Sequence, residues 1–333
     1  MVCSETIVKF LQRIVTLLSI ALLCVGCTSR LPTLSQNPWE VVPLSTDANL
    51  IDLAFTGNLD HGWIVGNNST LLETQDGGQH WQVQQLDLGE QKYLLTSVSF
   101  AGDDGWIAGK PSLLLHTTDG GKSWSRIALS AKLPGDPGQM TALGPNSAEM
   151  VTDLGAIYQT NDGGKTWQAL VQEAFGVARN ISRSEDGKYI AVSAKGNFYS
   201  SWEPGQTAWQ PHNRNSSRRL EKIGFGKDGR LWMLARGGQI QFSDPEEPEV
   251  WGDSQLPELA ASWGLLDLAY RTPEEIWVGG GSANLLCSFD GGETWQKDEA
   301  VQNVPANFYR VKFINPDTGF ILGQNGALLR YQG

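Results

Sequence analysis

The sequence predicts an all-β fold: a seven-bladed β-propeller with four-stranded antiparallel blades, its N-terminal strand completing the last blade. Three observations carry this prediction. Trp39, Trp81, Trp124, Trp167, Trp209, Trp251 and Trp295 recur at intervals of 42–44 residues, and a fixed period of that length marks one supersecondary unit the size of a propeller blade, copied many times. Four of these tryptophans close the same local motif. Short apolar strands bounded by Gly, Asn and Asp recur at matching places in each repeat.

Each repeat opens with a strand of the type LIDLAF (Leu50–Phe55), TSVSF (Thr96–Phe100), LLDLAY (Leu265–Tyr270) or YRVKF (Tyr309–Phe313). The second strand reads GWIVG (Gly62–Gly66), GWIAG (Gly105–Gly109), EIWVGG (Glu275–Gly280) or GFILG (Gly319–Gly323). The third ends in an apolar pair, as in LLET (Leu71–Thr74), LLHT (Leu114–Thr117) and AIYQT (Ala156–Thr160). A turn follows, written TQDGGQHW, TTDGGKSW, TNDGGKTW and SFDGGETW, ending at Trp81, Trp124, Trp167 and Trp295. This is the Asp box, Ser/Thr-x-Asp-x-Gly-x-x-Trp. Its Asp accepts hydrogen bonds from turn N–H groups, and its second Gly takes positive φ. Asp76, Asp119, Asp162 and Asp290 are therefore read as turn-formers, not as catalytic or metal-binding groups. SSWEPGQTAW and FSDPEEPEVW, ending at Trp209 and Trp251, are degenerate copies with insertions in the turn.

The chain ends account for closure. The last repeat stops at ALLRYQG (Ala327–Gly333) with no Trp of its own, and NPWEVVPL (Asn37–Leu44) has a Trp but no strands before it. The N-terminal strand is thus expected to pair beside Leu328 and Leu329, removing the open edge of the ring.

Residues 1–26 read as a lipoprotein signal peptide, 27–38 as a lipidated tether and 39–333 as the propeller. Lys9 and Arg13 precede an apolar run from Ile14 to Val25, the pattern of a secretory signal and short for a membrane span. Leu23-Cys24-Val25-Gly26-Cys27 is similar to a bacterial lipobox, with Cys24 where that motif usually has leucine. Cys27 is the expected lipidation site. A diacylglyceryl-plus-acyl anchor there would hold the protein on a membrane. Cys3 and Cys24 go with the signal, so Cys287 stands alone and no disulfide framework exists. Lying in a strand, it is read as a small buried apolar residue.

Charge points to function. The formal net charge is −11, yet residues 175–240 carry 11 Lys/Arg against 5 Asp/Glu. A propeller does not need a basic sector on an acidic ring in order to fold, so the sector reads as a docking face. Its candidate partner-binding residues are Arg179, Arg183, Lys195, Arg214, Arg218, Arg219, Lys222 and Arg236. Arg179 and Arg219 lie near the starts of successive first strands, which gather on one propeller face around the central channel. Arg outnumbers Lys there, which favours bidentate recognition of carboxylates. Nucleic acid is a poor partner for an exported acidic chain. No cofactor or metal is expected. His61, His80, His116 and His212 have no ligand spacing, and His80 and His116 are placed on the surface beside Asp-box turns. There is no phosphate loop and no nucleophile elbow.

NPWEVVPL, KPSLLLHTTDGGKSW (Lys110–Trp124), TDLGAIYQTNDGG (Thr152–Gly164) and WQPHNRNSSRRL (Trp209–Leu220) carry a wider likeness. Over residues 37–333 the chain resembles the photosystem II assembly and stability factor family of cyanobacteria and plastids, seven-bladed Asp-box propellers. The resemblance implies a non-enzymatic, monomeric assembly factor, lipid-anchored at the lumenal side of the thylakoid membrane or the periplasmic side of the plasma membrane. It implies binding to the photosystem II reaction-centre core subunit precursor and to early assembly intermediates. It also implies an arginine patch, falling on Arg179, Arg183, Arg214, Arg218, Arg219 and Arg236. Asp boxes also occur in sialidases, where three arginines hold a carboxylate beside a Tyr–Glu pair. Arg179, Arg219 and Arg310, with Tyr309, imitate part of that set, but the Arg-Ile-Pro motif of that class is missing. A third reading is a generic membrane-anchored scaffold lipoprotein; it differs from the first in its partner, since the fold would serve either.

Overall fold

The computed structural model describes residues 31–196, 198–213, 219–257 and 264–333. The signal segment and Cys27 lie outside the described residues. Among the described residues every regular element is a strand, and the strands form seven antiparallel sheets. Blade 1 consists of Leu50–Phe55, Gly62–Gly66, Leu71–Thr74 and Gln82–Gln84, counted from the channel outwards. The inner strands of blades 2 to 7 are Leu94–Ala101, Pro137–Gly144, Ala178–Arg183, Leu220–Phe225, Leu265–Tyr270 and Phe308–Asn315. The outer strand of blade 7 is Trp39–Val41, with Trp39 opposite Tyr331, Glu40 opposite Arg330 and Val41 opposite Leu329. The expected closure is therefore present. Contacts of the N-terminal segment begin before it, where the Leu34 N–H donates to Lys297 O at 2.8 Å.

Blade 5 departs from the four-strand pattern. Three regular strands are followed by isolated bridges, Ser243 to Trp251 and Ile240 to Gln255. The insertion carries Pro245 and Pro248, which lack the N–H that a ladder needs. Asp244 instead organises a turn, accepting from the Glu246 and Glu247 N–H groups at 2.8 and 3.0 Å.

The tryptophan period has a packing cause. Each repeated Trp wedges its own blade against the one before it. Trp124 of blade 2 meets Trp63 of blade 1 edge-on, with centroids 6.1 Å apart. Trp167 meets Trp106 in the same way at 5.9 Å, Trp251 meets Tyr199 at 5.9 Å, and Trp81 meets Phe320 across the closure at 6.2 Å. The Asp box completes the seam. Asp119 accepts from Thr117 Oγ1 (2.7 Å), the Ser123 N–H (2.9 Å) and Ser123 Oγ (2.6 Å), and the Gly121 N–H donates to Thr117 Oγ1 (3.0 Å). The Ser123 hydroxyl, then Thr117 and the turn amide, hold the Asp119 carboxyl at about 2. These bonds all stabilise the charged form, as expected of a turn-former.

Both box glycines take positive φ, 76° at Gly120 and 94° at Gly121, where one was expected. Gly121 is also the point of closest approach between blades. A Cβ there would lie 2.5 Å from Trp63 Cζ2, while Trp63 Nε1 donates to Gly120 O at 2.9 Å. Gly121→Ala is therefore expected to lower stability by about 2–5 kcal/mol, combining left-handed backbone strain with overpacking. Gly89→Ala is the control, since Gly89 has φ 71° but nothing within 4 Å of an added Cβ; it should lose only about 1–2 kcal/mol. Equal shifts of the two denaturation midpoints would refute the seam argument.

Two sequence expectations about single residues part here. Cys287 is fully buried, and burial pushes its thiol up to about 12. His80 is on the surface, but His116 is not. It is buried, stacked on Trp106 with centroids 3.9 Å apart, and bonded to Asp104 Oδ1 at 3.1 Å. His80 lies inside the exposed turn, whereas His116 lies within a strand, Leu113–Thr117, opposite Trp106.

Candidate functional site

All seven inner strands carry a one-residue bulge near their start. The residues left unpaired are Ile51, Thr96, Gly138, Arg179, Glu221, Leu266 and Tyr309. A bulge re-aims the side chains beside it. On blades 4 and 5 the bulged residues are Arg179 and Glu221, and they form an ion pair through Arg179 Nη1 and a Glu221 carboxylate oxygen. Arg236 directly follows the second strand of blade 5 (Leu231–Ala235) and adds its Nε to Glu221 Oε1 at 3.1 Å. Its own N–H donates to Arg219 O at 3.0 Å, which ties the two segments together.

Arg219 directly precedes the inner strand of blade 5 and reaches back to blade 4. Its Nη2 donates to Ala194 O at 2.5 Å, and Arg179 Nη2 donates to the same carbonyl at 3.0 Å. Lys195 follows in that turn and is exposed. Gly196 makes room for this arrangement: a Cβ there would lie 2.4 Å from Arg219 Cγ. Two arginines thus hold Glu221, with Arg219 and Lys195 on the adjoining segments, on the face where the inner strands begin, here called the top face. Beside them opens a groove of about 630 Å³, lined by Arg179, Glu221, Arg236, Leu265 and Leu266. Val177, 59% exposed, adds an apolar contact point next to it. Such a surface suits an extended segment carrying carboxylates and a few apolar side chains.

Not every candidate joins this cluster. Arg183 lies at the far end of the inner strand of blade 4, about 13 Å along from Arg179 at the usual strand rise. There it is committed to Glu149, with Nε to Oε2 at 2.8 Å, and sits over the Tyr189 ring. It ties blade 4 to blade 3 near the opposite face. Lys222 touches the groove, but its ammonium is engaged with blade 6, paired with buried Asp267 at 2.6 Å. Desolvation drives its ammonium below its usual range, against the pull of Asp267. Arg214 and Arg218 lie outside the described residues. The charge count included Glu221 only as one of five acidic residues and did not show that it holds arginines of the basic sector in place. An acidic residue directly after two arginines and a leucine was the available signal.

The family model described as photosynthesis system II assembly factor YCF48 matches residues 31–332. A photosystem II assembly lipoprotein Ycf48 from Trichormus variabilis is 64% identical over 98% of this chain and 96% of its own length. Among solved structures, a YCF48 bound to a D1 peptide superposes with a TM-score of 0.89 at 56% identity, covering 91% of this chain and all of its own. A YCF48 from Cyanidioschyzon merolae follows with a TM-score of 0.83 at 39% identity, covering 89% of this chain and 99% of its own. The role that names these relatives is assembly, which is non-enzymatic, so the glycosidase alternative falls away. The chain belongs to the YCF48 family of photosystem II assembly factors.

Proposed function

We propose that this photosystem II assembly factor holds a newly made reaction-centre subunit by an extended, carboxylate-bearing segment, and that the top face of blades 4 and 5 is the docking surface. The observation that carries the reading is Arg179 and Arg236 on Glu221, with Arg219 and exposed Lys195 joined to them at the Ala194 turn, beside a groove, on a chain whose net charge is negative. The related YCF48 that carries a D1 peptide supports a D1 segment as the ligand class. Arg218 directly precedes Arg219 in sequence, and Arg214 and Arg218 are proposed with it as partner-binding residues; Arg183 and Lys222 join blades through Glu149 and Asp267. The test is a titration of the purified protein with peptides from the C-terminal region of the D1 precursor, followed by fluorescence anisotropy. Affinity should fall as salt rises through the range where the screening length shrinks from about 10 Å to about 3 Å. A salt-independent affinity would remove charge from the recognition.

The proposed setting is the lumenal side of the thylakoid membrane, with a lipid on Cys27. The lipobox-like stretch ending at Cys27 and the lipoprotein names of the relatives support it. In membranes from expressing cells, Cys27→Ser should move the protein from the pellet to the soluble fraction or leave an uncleaved precursor. A wild-type mature protein without acyl mass, beginning elsewhere than Cys27, would overturn the anchor.

A further inference from the structure

The seven bulges have a second consequence inside the channel. The residue after each bulge is Asp52, Ser97, Gln139, Asn180, Lys222, Asp267 or Arg310. Many of these reach across to the next inner strand. Asp52 Oδ2 accepts from the Val98 N–H at 3.2 Å, Ser97 Oγ from the Met140 N–H at 3.2 Å, Asn180 Oδ1 from the Ile223 N–H at 2.9 Å, and Asp267 Oδ2 from the Val311 N–H at 2.8 Å. A set of polar side chains therefore laces neighbouring inner strands together inside the channel.

Its charges do not balance. Lys222, Arg310 and Lys312 face two carboxylates. Asp267 is taken by Lys222 at 2.6 Å. Asp52 is taken by Lys312 at 2.9 Å, and Lys312 Nζ is completed by Leu53 O at 2.6 Å. Arg310 is left with a distant contact, Nη2 to Asp52 Oδ1 at 3.6 Å, and makes no hydrogen bond among the described residues. Its guanidinium has five donors, and an unmatched charged donor set in a confined space is costly. Arg310 meets solvent through the channel itself, lining a cavity of about 470 Å³ together with Ser97, Gln139 and Asn180.

The geometry points to a carboxylate-binding site inside the channel, with the Arg310 guanidinium as its anchor and a single carboxylate group as its ligand. A planar guanidinium presents two parallel N–H bonds that match a carboxylate. The cavity is roomy enough for the group, and Gln139 in its lining carries a neutral amide donor. One carboxylate would cancel the excess charge of the set. Arg179 of the top-face group also lines this cavity, but Arg310 is not among the residues lining the top-face groove, and the site does not depend on which polypeptide that group takes. The carboxylate could come from a small free anion or from the end of a peptide chain.

The test uses the full mature propeller and three probes: acetate, a short peptide with a free C-terminus, and the same peptide amidated. Binding is followed by NMR shifts of side-chain guanidinium and backbone amide groups, with wild type, Arg310→Gln, and the top-face variant Lys195→Glu/Arg236→Glu. Arg310→Gln leaves the set neutral, so it should fold, which a thermal melt checks; Arg310→Lys, which keeps the charge but loses the bidentate geometry, serves if it does not. Acetate shifts centred on Arg310, lost at least tenfold in Arg310→Gln and kept in the top-face variant, establish the site for a free carboxylate. The same pattern for the free-ended peptide but not for its amide establishes it for a chain terminus. If Arg310→Gln, or Arg310→Lys in its place, binds every probe as wild type does, or if only the top-face variant loses binding, the channel site does not exist and the top face stands unaffected.

Discussion

A protein lacking residues 28–44 is expected to lose cooperative unfolding and to aggregate. The segment supplies the outer strand of blade 7 and the plug of its core. Trp39 is buried and meets Trp277, Tyr331 and Phe313 with centroids 5.3, 5.2 and 5.7 Å apart. Val42 is buried too, and its N–H donates to Leu328 O at 2.9 Å. Truncating one buried Trp to Ala removes about 3–5 kcal/mol, from a total stability of about 5–15 kcal/mol for a typical domain. Loss of the whole strand adds an exposed edge at Leu328–Tyr331, an invitation to pair with other chains. Trp39→Phe keeps the strand and should lower stability by far less, which separates the strand from the ring. A truncated protein with the melting temperature of the full chain would show that closure does not depend on this segment.

The blade pattern was legible because one packing event, the seam between blades, repeats along the chain. Trp124 against Trp63 and Trp167 against Trp106 are the same contact one period apart, so selection for the seam writes a period into the sequence. The closing strand was legible for the same reason, since a surplus Trp at one end matched a missing one at the other. Contacts used once leave no such trace. Arg183 sits on the same strand as Arg179 but pairs with Glu149, 34 residues earlier, and a local charge count cannot tell which end of a strand a side chain serves. The channel pair Lys312–Asp52 spans 260 positions. Its only hint is the matched Asp in LIDLAF and LLDLAY, a charged residue at an equivalent point of two otherwise apolar strands. His116 was misplaced because its neighbours in sequence form a turn while its neighbours in space are Trp106 and Asp104.

Reversing charge on the top face should have the second large effect, this time on binding and not on folding. The choice of residues follows from their partners. Arg179 is held by Glu221 and the Ala194 carbonyl, so Arg179→Glu would set two carboxylates against each other and mix a folding defect into the readout. Lys195 is exposed and the Arg236 side chain is 69% exposed, and changes at such sites usually shift stability by no more than about 0.5 kcal/mol. Lys195→Glu with Arg236→Glu alters the local charge by four units; Arg236 also pairs with Glu221, but its side chain is 69% exposed, so its replacement can turn away from Glu221 into solvent, unlike one at the half-buried Arg179. Each charge-assisted contact to a carboxylate contributes about 1.5–3 kcal/mol, so losing two and adding repulsion should weaken capture of a D1 precursor segment by at least a hundredfold at low salt. The loss should shrink as salt rises, because screening removes both the attraction and the repulsion. Arg219→Gln gives an independent arm: it removes one charge from the centre of the cluster and should cost about tenfold. In cells, photosystem II should accumulate more slowly with the double variant, while the level of the propeller itself stays normal. A folded double variant that captures the precursor as tightly as wild type would move the docking surface off blades 4 and 5.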